Sequence, residues 1–221
     1  MTVATSGLVE LCLPRDWTEL LLPDDDEARD HLDRLVRSTW PGGPAGPRTG
    51  STRALMEWRA AMLDAGVVSH GVVIAPRPEG TPANWHVQTS VVPLPVVPDV
   101  DVPAVVAELV RARWGAGPHH VETYETDMGL GVGVVAERTV PPPPGLADLA
   151  VRGLEVVADP VRMGVAVALA CAPGATQALL VVGVCLDPAQ VWELAGLVAV
   201  VAGRSRLHPA PAADEGEDRS G

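Results

Sequence analysis

The sequence predicts an α+β fold in which a mainly antiparallel β-sheet is packed with helices. The first observation is segment 161–171, where large and small residues alternate as they do on the two faces of a strand. The second is that most connections between the predicted strands are too short for parallel crossovers. The third is a set of helical segments with one apolar stripe each, which can cover such a sheet.

The N-terminal part predicts two short strands followed by two helices. The strands lie within 7–22 and are broken by a Pro-Arg-Asp step. A helix is predicted over 25–39, because its acidic first turn and late arginines complement the helix dipole. The proline- and glycine-rich stretch 41–50 predicts a loop. A second helix is predicted over 51–65, and Gly66 is suited to cap its C-terminal end.

The middle of the chain predicts four further strands around one helix. Alternating or apolar patterns indicate strands at 67–75 and 84–92. A helix is predicted over 103–114, and strands that pair with each other at 119–127 and 130–138. Two further expectations are a polyproline spacer at the PPPPG stretch and a strand near residues 151–158.

The C-terminal part predicts a β-hairpin followed by a helix. A turn at Pro173-Gly174 would join two strands and pair Leu169 with Ala178 and Val167 with Leu180. Since a Pro-Gly type II turn matches the twist of a hairpin poorly, a longer loop stays open as an alternative. The sequence thus predicts one domain over 1–207. Residues 208–221 are predicted to form a disordered acidic tail.

A helix is predicted from Asp187, which is a suitable N-cap before a proline. Its inward stripe comprises Val191, Leu194, Ala195, Val198, Val201 and Ala202. On the outer flank, Leu197 and Val200 are apolar where a surface helix is normally polar, and Trp192 lies near them along the helix. These three residues are the candidate contact surface for a protein partner or for a second copy.

Composition excludes several classes of partner and compartment. The net charge of −12 at pH 7 repels a nucleic-acid backbone, so no nucleic-acid partner is expected. The absence of lysine and phenylalanine is typical of high-GC coding bias, as in actinobacteria. No export signal is visible, Pro173-Gly174 interrupts the longest charge-free run, and the three cysteines show no C-x-x-C spacing. These features predict a cytoplasmic protein with free thiols and no membrane span.

Residues 119–127 contain the candidate metal ligands. His119, His120 and Glu122 are side chains of the types that hold zinc or manganese. On a strand, however, His119 lies on the opposite face from His120 and Glu122, so these groups divide rather than converge. A metal-dependent or cryptic hydrolase centred here is the alternative to a non-enzymatic protein.

Two other features of the sequence bear on ligand binding. Residues 131–136 satisfy G-x-G-x-x-A, but the prolines that follow exclude the helix that a dinucleotide site requires. The glycines instead predict a strand that another side chain or a helix crosses closely. No cofactor is expected. A small ligand in a cleft between the sheet and the helices of 25–65, near His86 and Gln88, is a third possibility for function.

Three features of the layout stand together: Leu13-Pro14 with Trp17, the helix end Ala65-Gly66 before a valine strand, and the final strand pair followed by a terminal helix. In these features the chain resembles an actinobacterial family of uncharacterised proteins. The resemblance implies an outline similar to the Mog1/PsbP-like α/β sandwich. Relatives of that family include lipoproteins and secretion-associated proteins. A well-patterned core, polar groups that do not converge, and Leu197 with Val200 on the last helix predict a non-enzymatic accessory or protein-binding module. The resemblance implies a link of that module to secretion or the cell envelope.

Overall fold

The fold was determined from a computed structural model of the chain. The structure describes residues 2–6, 9–39, 41–75, 82–94, 102–114, 118–140 and 160–208. Within these ranges, the side chains of 2–6, 39, 75, 113–114 and 118–119 are not described. The strand expected near 151–158 and the tail beyond His208 lie outside the described residues.

The described residues form ten strands and four α-helices. In chain order they are β1 (Thr2–Ser6), β2 (Val9–Leu13), β3 (Trp17–Glu19), α1 (Asp25–Thr39), α2 (Ala45–Asp64), β4 (Val67–Ala75), β5 (Ala83–Pro93), α3 (Val102–Trp114), β6 (Pro118–Thr126), β7 (Gly129–Val140), β8 (Val161–Cys171), β9 (Gln177–Cys185), α4 (Val191–Arg204) and β10 (Arg206–Leu207). A short 3₁₀ turn, Pro188–Gln190, precedes α4.

Seven strands form the main sheet, in the order β3-β4-β5-β9-β8-β7-β6. Every neighbouring pair in it is antiparallel. Two meanders, β3-β4-β5 and β6-β7-β8-β9, therefore join where β9 pairs with β5. Strands β1, β2 and β10 form a second, smaller sheet. The α+β class and the antiparallel sheet predicted from the sequence are confirmed.

The main sheet has a different helical cover on each face. Helix α4 and the smaller sheet lie on one face, where Val9 and Leu11 share a buried cluster with Leu194 and Val198. Helix α3 lies on the other face, and its Val106 packs with the valines of β7 and β8. Helix α2 covers β4 on this second face. The chain thus buries both faces of its central strands, which explains why β8 and β9 are apolar along most of their lengths.

The predicted hairpin forms, but its register differs from the predicted one by two residues. Leu169 pairs with Leu180, and Val167 with Val182, so each residue of β8 faces the strand position two residues later than expected. The Pro173-Gly174 turn is present, because Ala175 donates its N–H to the Ala172 carbonyl and Gly174 has a φ of +71°. It lies inside a five-residue connection, 172–176, and the longer loop left open as an alternative is the one observed. A shift of two keeps every side chain on its predicted face.

Helix α2 begins six residues earlier than predicted. Residues 45–50, expected to be a loop, form its first turns after Pro44. Pro47 is tolerated because the first N–H groups of a helix have no carbonyl partner within the helix. The buried side chains of this helix are Thr52 and Arg59, whereas the apolar Leu55 is half-buried and Ala65 is exposed.

Two glycines allow α4 to approach the sheet closely. A Cβ on Gly164 would lie 2.7 Å from the Val191 Cβ. A Cβ on Gly183 would lie 2.6 Å from a Val198 methyl and 2.7 Å from a Leu194 methyl. The side chains of α4 therefore fill the space that a side chain at either position would need. This contact fixes the position of the helix that carries the candidate surface.

Candidate functional site

Hydrogen bonds at the start of α4 fix the position of this helix and of its exposed flank. Asp187 caps the preceding 3₁₀ turn by accepting the Ala189 N–H at 3.1 Å, as predicted for this N-cap. The buried Gln190 accepts the Trp85 indole N–H at 2.8 Å and donates to Asp187 at 3.0 Å. These contacts join the start of α4 to the centre of the sheet, so the side chains that follow have a defined position.

Two of the three predicted contact residues on the outer flank of α4 are exposed to solvent. Trp192 is 58% exposed and Val200 is 43% exposed. Gly196 lies between them with no atom near the position of a Cβ, which makes this part of the flank shallow. Leu197 differs from the expectation, because it is half-buried and packs against the core around α4. The exposed apolar strip is therefore Trp192, Gly196 and Val200.

Strand β6 forms the edge of the main sheet beside Trp192. The ring centroids of His120 and Trp192 are 5.5 Å apart. His120 Nε2 lies 3.3 Å from a Glu122 carboxylate oxygen, and both side chains are largely exposed. The predicted sharing of one face by these two residues is confirmed, whereas the His119 side chain is outside the described atoms. Within the described part of the chain, no three His, Cys, Asp or Glu side chains group as metal ligands would.

The glycines of β7 serve close packing rather than nucleotide binding. Residues 129–140 are one continuous strand, so the G-x-G-x-x-A pattern does not lie between a strand and a helix. A Cβ on Gly131 would lie 2.7 Å from the Tyr124 ring, which crosses β7 at this point. The predicted explanation, a strand thinned by a crossing side chain, is confirmed. Burial, and secondarily the charge of Glu122, raises the pKa of Tyr124 to about 12.

A cluster of aromatic and histidine rings lies between α2 and the sheet. The ring centroids of His70 and Trp58 are 4.7 Å apart in an edge-on arrangement, and those of His70 and His86 are 5.9 Å apart. Gln88 is the direct cross-strand partner of His70 and is half-buried on the same face. The cleft expected near His86 and Gln88 therefore contains two further rings, which the sequence analysis did not assign to it.

Burial favours the neutral forms of the histidines in this cluster. Desolvation, reinforced by repulsion from His86, lowers the pKa of His70 to about 4. Desolvation also lowers the pKa of His86. Both ring nitrogens of His70 are buried without a hydrogen-bond partner in the described structure. A proton on His70 would therefore be shielded from solvent, with no hydrogen-bond acceptor among the described residues.

Lowering the pH should destabilise the fold through His70. Since its folded pKa of about 4 lies below its ordinary value of 6.5, the unfolded chain binds the proton more tightly. The protein has its full stability well above pH 6.5 and loses stability as the pH drops towards 4, with a loss of about 2 kcal/mol at pH 5. Urea unfolding at pH 7 and pH 5 measures the loss.

The His70→Phe variant provides the matched control. Phenylalanine preserves the edge contact with Trp58 and has no ring nitrogens to satisfy. We expect it to be as stable as the wild type at pH 7, with a smaller loss of stability at pH 5. Equal losses in the two proteins would contradict the role of His70.

The Glu19 carboxylate organises the far edge of the sheet. Its two oxygens accept hydrogen bonds from the Trp17 indole at 3.0 Å, the Ser69 hydroxyl at 2.5 Å, and the backbone N–H groups of Leu21 and His70 at 2.8 and 3.0 Å. Four donors on one carboxylate fix the turn that leaves β3. Sequence reasoning missed this residue, because a single Glu in the apolar run WTELLL carries no local signal for partners 50 residues away.

Two of the three cysteines are buried. Cys171 and Cys185 are buried free thiols, and burial raises the pKa of both.

No protein-family model matches the chain, and no curated protein matches it either. Among the helices that the structure describes, none is long and apolar enough to cross a membrane.

Proposed function

We propose that the protein is a non-enzymatic protein-binding module whose contact surface is the outer flank of α4 beside β6. The observation that carries the proposal is the exposure of Trp192 at a position fixed by the buried side of the same helix. Tryptophan is among the residues that most often dominate binding energies at protein interfaces, because it buries a large area with little loss of side-chain entropy. Val200 extends the apolar strip along the helix.

The cellular setting belongs to the same proposal. A cytoplasmic location is supported by the buried free thiols Cys171 and Cys185, which are stable in a reducing compartment. The outline similar to the Mog1/PsbP-like sandwich, and with it an accessory role in secretion or at the cell envelope, is supported by the antiparallel sheet with helices on it. The exposed residues Glu193 on α4 and Glu122 on β6 favour partners with basic surfaces.

Photo-crosslinking tests the surface directly. A benzophenone amino acid placed at Trp192 should capture one defined partner, or a second copy of the chain, in cells that express the protein naturally. The same group at Leu109 is the matched control, since Leu109 is 59% exposed but lies on α3, on the opposite face of the sheet. We expect an adduct of discrete mass from position 192 alone.

Light scattering separates the two kinds of partner. A monomer by size-exclusion light scattering, together with a heavier adduct at position 192, indicates a different protein as the partner. The Trp192→Ala variant should stay folded, because the side chain it removes is mainly in solvent. Equal adducts from positions 192 and 109, or none from either, would remove the support for this surface.

A further inference from the structure

Strand β6 is the last strand of the main sheet within the described part of the chain. Within the described residues it pairs on one side only, with β7, over Pro118–Thr126. The opposite edge strand, β3, has three residues. An edge strand presents alternate N–H and C=O groups to any extended chain that lies alongside it. A nine-residue edge is long enough for another strand to be added.

The side chains of β6 give the two faces of this edge a defined chemistry. On the α4 face, His120 lies next to the exposed ring of Trp192, and Glu122 lies beside His120. On the other face, Val121 and Glu125 are exposed. A strand added to the edge would meet an aromatic surface and a carboxylate on one face, and an aliphatic group and a carboxylate on the other.

We propose that β6 binds an extended, positively charged segment of a partner protein as an eighth, antiparallel strand of the main sheet. Backbone hydrogen bonds along the edge would hold the segment, and Trp192 would contact its apolar side chains on the α4 face. This inference rests on the proposed binding function and names the class of partner for the same surface.

Charge distinguishes a basic partner from a second copy of this chain. Each copy carries a net charge of −12, and pairing of β6 with β6 would bring the Glu122 and Glu125 carboxylates of two copies against one another. Like charges across a strand pair are destabilising. Asp127, at the end of the strand, is already 3.5 Å from the Arg206 guanidinium, whereas Glu122 has only the exposed His120 as its ionic partner in the described structure. A basic segment would neutralise these carboxylates.

The positions of the carboxylates also set the spacing of the basic residues. Glu122 and Glu125 are three positions apart, so their side chains lie on opposite faces of β6. Because paired strands advance in step, two basic residues three positions apart in the segment can reach both carboxylates. The residues between them need only β-propensity, which valine and threonine have.

An NMR titration with a defined probe tests the proposal. The probe is a short synthetic peptide with two lysines three positions apart among valines and threonines. We expect it to shift the backbone amide signals of residues 120–126 and the Trp192 indole signal. Replacing both lysines by glutamates should abolish these shifts. The Glu122→Arg, Glu125→Arg double variant, whose changes are at exposed positions, should bind the lysine peptide about tenfold more weakly.

A backbone-methylated peptide separates strand addition from simple charge attraction. Methyl groups on the alternate peptide nitrogens that face β6 remove the hydrogen-bond donors but keep both lysines, so binding should be lost. Equal binding of the methylated peptide, or shifts located away from β6, would overturn the proposal. If the lysine peptide fails while Trp192 still gives its specific crosslink, strand addition is wrong and the binding function stands. Failure of both experiments removes both proposals.

Discussion

We expect the Arg59→Ala variant to lose about 4 kcal/mol of unfolding free energy. The Arg59 side chain is 3% exposed, and its hydrogen bonds go to the segment that links β3 to α1 and to the first residue of α1. Its Nε donates to the Leu22 carbonyl at 2.8 Å, one terminal nitrogen donates to the Pro23 carbonyl at 2.9 Å, and the other donates to the Asp25 carboxylate at 2.7 Å. Alanine would leave two backbone carbonyls without their donors and a cavity where the guanidinium was.

The Arg53→Ala variant is the matched control for this experiment. Arg53 lies on the same helix, is 78% exposed, and its guanidinium is 3.9 Å from the Glu57 carboxylate. Exposed pairs of this kind contribute little, so its unfolding free energy should change by no more than about 0.5 kcal/mol. Urea denaturation of both variants at pH 7 measures the difference. Similar losses for Arg53 and Arg59 would show that α2 is not attached to the β3–α1 connection through Arg59.

Local patterns were sufficient for most of the elements. The bounds of α1 and β4 agree with those predicted, because α1 has apolar spacing and terminal charges that favour a helix, and β4 is a short apolar run that favours a strand. The predicted start of α2 was wrong because its first turns contain proline and glycine. Their usual preference for loops is overcome at a helix N-terminus. The hairpin register was two residues off because the Pro-Gly turn occupies only part of the connection between β8 and β9.

The candidate site could be predicted only where one element carries it. The spacing on α4 indicated Val200, the presence of a tryptophan on the same helix indicated Trp192, and both are exposed. The spacing also indicated Leu197, but Leu197 is half-buried because it packs against a cluster that includes strands of the smaller sheet. The periodicity of the helix cannot show where those strands lie. The contact of His70 with Trp58 depends on where α2 crosses β4. No spacing within either segment encodes that crossing.

The Gly183→Val variant should lose about 3 kcal/mol of unfolding free energy through steric conflict with α4. Gly183 lies in β9 beneath the helix, and even the first added carbon would be 2.6 Å from a Val198 methyl and 2.7 Å from a Leu194 methyl. Both neighbours are fully buried in the core, so neither can move away without displacing others. Valine adds two further methyl groups to this space. The Gly183→Ala variant, with one carbon, should lose less than the valine variant.

The Gly196→Ala variant provides a control with the opposite sign. Gly196 lies on the outer flank of the same helix, and no atom lies within 4 Å of the position of its Cβ. Alanine there adds no conflict and reduces the conformational freedom of the unfolded chain, so the protein should gain about 0.5–1 kcal/mol. Thermal and urea unfolding of the two variants compare the inner and outer sides of α4. If Gly183→Val is tolerated as well as Gly196→Ala, α4 does not lie directly on β9, and the fixed position of Trp192 loses its structural basis.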